Sequence, residues 1–215
     1  MAIGGDLERP LAGALVLGIG NLLWADEGFG VRAVESFHAA YELPEVVELL
    51  DGGTQGMNLL EPVVSHAAVL VFDAIDFGLP PGTLRVLRDR EVPAWAGTKM
   101  SLHQQSFQEL LAVADLQGRF PPKLTLIGVQ PERLSDFGGS LSESVRERLP
   151  VAVELAAEEL ASWGYPPRTR RAPAPPLNAE ALALPAYEAG RPAESEACRI
   201  GDARLLNRRR DLESR

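Results

Sequence analysis

The chain has 215 residues, 46% of them apolar and 24% charged, which suits one buried core with an appendage and excludes wholesale disorder or a fibrous class. Its formal net charge of −9 argues against a general phosphate-backbone binder, which needs a surplus of Lys and Arg on one face, and a sole cysteine, Cys198, excludes an intrachain disulfide or a thiolate cage. No apolar stretch reaches the roughly 20 residues that span a bilayer, and the start MAIGGDLERP lacks the basic end of a signal peptide, so the expectation is a cytoplasmic protein with neither a membrane nor a nucleic acid as partner.

The run ALVLGIG, 14–20, is apolar and closed by glycines, which predicts a strand buried on both faces of a parallel sheet. From Asp26 onward, Phe29, Val31, Val34, Phe37 and Tyr41 fall close to a helical stripe, with Asp26 and Glu27 where the helix dipole favours acids. A second strand, 46–50, ends at DGGT. A helix through MNLLEPVVS leads to a third strand, AAVLVFDAI, 67–75, and both of these strands run into an aspartate.

The turn LPPGT is too short for a parallel crossover, so TLRVL, 83–87, is expected as an antiparallel or edge strand. A loop with Pro93 and Gly97 precedes a helix over 101–116, and KLTLIGV, 123–129, reads as the fifth strand. The apolar spacing of 143–164 predicts one long helix with Pro150 as a kink, stopped by Gly164. Beyond Tyr165 the chain turns rich in Pro, Ala and Arg without a sustained apolar period. It therefore reads as a domain over 13–165 and a Pro/Arg-rich, extended and disordered tail over 166–215.

Five strands with interleaved helices predict an α/β protein, a three-layer α/β/α sandwich on a mostly parallel sheet. Sites in such sheets form at the C-terminal ends of the strands. That gathers Glu27, Asp51 and Asp73 at one rim, and His103, opening the helix after the hairpin, reaches the same rim. His38 and His66 do not lie there.

GIGN, 18–21, invites comparison with a dinucleotide fingerprint. The comparison fails because Leu23 stands where the third glycine belongs and Asp26 and Glu27 stand where a pyrophosphate would sit. Taken singly, Glu27 reads as a favourable charge near a helix start, Asp73 and Asp51 as caps or turn residues, and His103 as a cap. Gly28 and Gly30 tilt Glu27 toward function, since each costs about 1 kcal/mol relative to Ala in a helical turn and invites close approach by another chain. Two carboxylates and one imidazole suit a borderline divalent ion with positions left open for substrate. No HExxH spacing and no GxSxG elbow is present, so a Ser-His-Asp reading is weaker still.

Taken together, LVLGIGNLLWADEGFGVRAVE (15–35), ELLDGGTQGMNLLEPV (48–63), VLVFDAID (69–76), SLHQQS (101–106) and PPKLTLIGVQPE (121–132) closely resemble the nickel-iron hydrogenase maturation proteases. The resemblance covers roughly 13–165 and implies a phosphorylase/hydrolase-like fold. It also implies a cytoplasmic, monomeric endopeptidase, often classed as aspartic-type. Such an enzyme removes a C-terminal extension from the hydrogenase large-subunit precursor after nickel insertion.

On the family's pattern, Glu27, Asp73 and His103 are the residues implied to bind nickel, which the substrate supplies, and Asp73 and Asp51 are implied in catalysis, Asp51 in a supporting part. The alternative is a non-catalytic nickel-binding assembly chaperone for the same subunit, with the same three ligands and the tail as a docking arm.

Overall fold

The computed structural model describes residues 11–94, 102–134 and 136–191, apart from the side chains of 102–104. Alternating layers follow from the apolar runs. The first strand, β1 (Ala14–Ile19), is buried along its whole length and leads through a 3-10 turn at Ala25–Gly28 into helix α1 (Phe29–Ala40). A two-residue strand β2 (Tyr41–Glu42) precedes β3 (Val47–Gly53), a second 3-10 turn at Gly56–Leu59, helix α2 (Leu60–Val64) and strand β4 (Ala68–Ala74). Then come β5 (Leu84–Arg88), α3 (Glu91–Ala94), α4 (Leu102–Leu116) and β6 (Lys123–Val129).

The five long strands form one sheet in the order β3-β1-β4-β6-β5. All neighbours are parallel except β5, which runs antiparallel beside β6, as the short LPPGT turn requires. The α/β/α expectation is met. Strand alternation divides the core into two layers. Ala14, Val16, Leu70 and Phe72 face α1 and the C-terminal helix described next, whereas Leu15, Leu17, Val69, Val71 and Ile75 face α2 and α4.

The single helix expected over 143–164 is two: α5 (Glu143–Arg146) and α6 (Leu149–Ser162). Pro150 stands in the first turn of α6, where its missing N–H goes unneeded, so it opens a helix rather than kinking one.

Residues 166–191 do not trail away from the domain. Strand β7 (Arg168–Thr169) pairs antiparallel with β2, and Arg170 donates to the carbonyls of His38 and Tyr41 at 3.2 and 3.0 Å. Leu177 packs on the core, a short 3-10 turn follows at Glu180–Leu182, and helix α7 (Leu184–Gly190) closes the path. Arg146 and Glu188 form an ion pair, and the Tyr187 hydroxyl donates to the Gly139 carbonyl at 3.3 Å. The segment thus runs as a strap along α1, held by polar side chains and one strand pair, neither of which has a periodic signature. The remainder of the tail, from 192, lies outside the described residues.

Candidate functional site

Glycines seat α1 on the sheet's rim. A Cβ on Gly30 would stand 2.1 Å from the Ile19 carbonyl oxygen and 2.3 Å from that of Phe72, so the helix start rests directly on the ends of β1 and β4. The close approach that Gly28 and Gly30 invite is therefore made by the chain's own backbone, Gly28 lying against Leu22. Gly20, at φ +146°, leaves room for the Glu27 carbonyl, which accepts the Asn21 N–H at 3.0 Å.

The two acids of DEGFG have opposite fates. Asp26 is fully buried. One of its oxygens accepts from the N–H groups of Glu132 and Arg133 at 2.9 and 2.7 Å and from the Ser142 hydroxyl at 2.9 Å, while the other accepts the Ser142 N–H at 2.7 Å. It is a clamp between the turn and the loop after β6. Trp24 reinforces that clamp, stacking edge-on against Phe137 at 5.2 Å. Glu27, the next residue, remains half-buried at the ends of the strands.

Asp73 is the penultimate residue of β4, in register with Gly128 and 1% exposed. Its Oδ1 accepts the Ala74 N–H at 2.8 Å. By alternation with Val71 and Ile75 it shares the face that packs on α4. Helix α4 ends just before β6 begins, so its opening turn, with His103, lies toward the C-terminal ends of the strands. The side chain of His103 lies outside the described residues. The rim thus brings together the Glu27 turn, Asp73 and the start of α4.

Asp51 lies at the same C-terminal end of the strands but on the other face of the sheet. Beside Gly18 in the register, it alternates with Val47 and Leu49 on the α1 face, opposite to Asp73. Its Oδ1 accepts the Gly53 N–H at 2.9 Å and its Oδ2 the side-chain amide of Asn178 at 2.7 Å.

Sequence reasoning did not separate Asp26 from Glu27, and it did not single out Gln130 or Asn178. Gln130 accepts from the N–H groups of Phe77 and Leu79 at 2.7 and 3.1 Å and donates to Asp76 at 3.0 Å, which fixes the loop after Asp73. Its place in GVQPE at a strand end was the available signal. Asn178, in a Pro-rich stretch, carried none. Leu23, Met57 and Phe137, from three different rim loops, are exposed apolar side chains at 48, 43 and 42%. No described helix is long and apolar enough to cross a membrane.

The profile of the HycI hydrogenase maturation proteases matches residues 31–159, which include Asp51, Asp73 and His103. The chain is 54% identical over 193 residues to the hydrogenase expression/formation protein HoxM of Azotobacter vinelandii, covering 89% of this chain and 93% of that one. It is 43% identical over 151 residues to the hydrogenase 2 maturation protease of Escherichia coli, covering 70% and 92%. Among solved structures, the hydrogenase maturating endopeptidase HybD of E. coli superposes with a TM-score of 0.70 at 41% identity, covering 74% of this chain and 98% of that one.

Proposed function

The chain belongs to the hydrogenase maturation protease family, and from that premise we propose that it is the endopeptidase that removes the C-terminal extension of a nickel-iron hydrogenase large-subunit precursor once nickel is in place. One observation carries the reading: Asp73, the turn bearing Glu27 and the opening of the helix bearing His103 share one rim of the sheet. Two carboxylates and an imidazole are donors that a borderline divalent ion accepts.

Nickel belongs to the precursor in this reading and is part of the substrate. Glu27, Asp73 and His103 complete its shell, so only the loaded precursor gains that contact, and selection follows from the differential affinity. Burial of Asp73 favours this role, because a carboxylate withdrawn from water gains more from a cation than an exposed one does. Cleavage adds water across the scissile peptide bond. In this reading Asp73 takes the water's proton and passes it to the leaving amine, and the precursor's nickel polarises the carbonyl. Asp51 supports the rim from the other face. Leu23, Met57 and Phe137 offer apolar contacts to the docking subunit. The same reading takes the enzyme to act in the cytoplasm as a monomer.

The test incubates the purified protein with nickel-loaded and nickel-free precursor and reads the mass of the large subunit afterwards. Loss of a C-terminal fragment from the loaded form alone is the expected result. Equal cleavage of both forms would remove the nickel gate, and tight binding without cleavage would favour the assembly chaperone. His103→Ala and Glu27→Ala should each abolish processing without unfolding the protein, since rim ligands add little to the core.

A further inference from the structure

The strap reaches the end of β3 through the side chain of Asn178. Asn178 donates one amide proton to Asp51 Oδ2 at 2.7 Å and the other to Glu35 Oε1 at 3.0 Å. Two carboxylates demand donors, so the NH2 of the amide must face them. Glu35 is held in turn by Arg32, a guanidinium 3% exposed that also donates to the Leu182 carbonyl and lies 5.4 Å from the Tyr187 ring. A polar chain thus runs from the buried arginine of α1 through Glu35 and Asn178 to the end of β3.

From Asp51 the connection continues across the sheet. Its Oδ1 accepts the N–H of Gly53, fixing a residue at φ +45°, and the turn leads to Gly56 at φ +55°. A Cβ on Gly56 would lie 3.2 Å from the Cβ of Ser106, so this loop rests against the first turns of α4. That helix carries His103.

We propose that Asn178 is a positioning residue: by fixing the Asp51 carboxylate it holds the loop over 53–56 in the shape that seats α4, and with it His103, at the rim. Asp51 then acts through the loop it braces, from the face opposite Asp73. The strap is a working part of the protease. The alignment with HoxM covers 89% of the chain, enough to include 166–191 wherever its ends fall.

The relation of this proposal to processing rests on the function proposed above, whereas its structural core does not, and the experiment separates them. Hydrogen exchange is followed in wild type and in Asn178→Ala and Asn178→Asp, in peptides spanning 52–60 and 105–112, with β4 and β6 as internal controls. In Asn178→Ala we expect exchange in both peptides to rise roughly tenfold, the order set by a hydrogen bond to a charged group, with β4 and β6 unchanged. Processing of loaded precursor should show kcat lowered roughly tenfold and KM little altered.

Asn178→Asp sets a third carboxylate against Asp51 and Glu35 and should be more impaired than Asn178→Ala at pH 8. It should regain protection and rate as the pH is lowered toward 5, because a protonated carboxyl again donates. The same protein is compared with itself, so misfolding does not mimic recovery. Wild type run in parallel reports any contribution from the other groups facing the position, Asp51, Glu35, Arg32 and His38. Unchanged exchange in 52–60 and 105–112 of Asn178→Ala, or no recovery in Asn178→Asp at low pH, would overturn the proposal. Absence of cleavage by wild type would instead remove the proposed function and leave the exchange result standing.

Discussion

The carbonyl oxygen of Glu27 lies 2.0 Å from where a Cβ on Gly20 would stand, and the Asn21 N–H binds that same oxygen. The end of β1 and the Glu27 turn therefore fit only if residue 20 has no side chain. Gly20→Ala adds a clash with backbone to a φ of +146°, where L-residues are strained. We expect a loss of at least about 2 kcal/mol in stability and no processing of loaded precursor, checked by denaturant unfolding and subunit mass.

Asp26→Asn and Glu27→Gln should separate cleanly although they are neighbours. The first turns an amide NH2 toward donors from Glu132, Arg133 and Ser142 and should cost about 3 kcal/mol. The second should leave the urea midpoint near wild type and remove processing. A shared stability loss of equal size would mean that Glu27 is another structural clamp.

Acid should release the strap before it melts the core. The guanidinium of Arg146, with help from the Ser140 hydroxyl, holds the Glu188 carboxyl down to about 2 from an ordinary value of 4.5. Since folding lowers the affinity of Glu188 for its proton, the ion pair's stabilisation is fully present above pH 4.5 and is lost as the pH falls toward 2. Limited proteolysis by an acid-active protease should first cut between 166 and 191 in that window. Glu188→Gln should be cut there at neutral pH also, by a protease active at pH 7.

Ending the chain after Tyr165 removes β7, the Leu182 and Tyr187 partners of Arg32, and the Asn178 amide that donates to Asp51. A thermal midpoint lower by about 5 °C or more is expected, in contrast to the neutral effect that a detached tail would have. An unchanged midpoint would show that the strap's contacts contribute nothing net.

The sheet was legible because β1 and β4 are apolar on both faces, and only a central parallel strand buries both. Asp73 could be located for the same reason: a carboxylate closing such a run has to sit at a rim. Which carboxylate of Asp26–Glu27 is buried was not readable, because the donors that bury Asp26 come from the loop 132–142, more than a hundred residues on. Asn178 and Glu188 were invisible for a related reason. Their partners are carboxylates, a hydroxyl and a guanidinium group distant in the chain, which leave no spacing to detect.

The turn over Ala25–Gly28 is fastened on every side: by Trp24 on Phe137, by the four bonds to Asp26, and by the glycines beneath it. Even Ala25 is kept at φ 42°, a conformation alanine avoids. A segment so constrained is a fixed post. In the function proposed above, the shape change that brings metal to Glu27 therefore falls to the visiting subunit, and a precursor already locked in its finished shape would find no give in this turn.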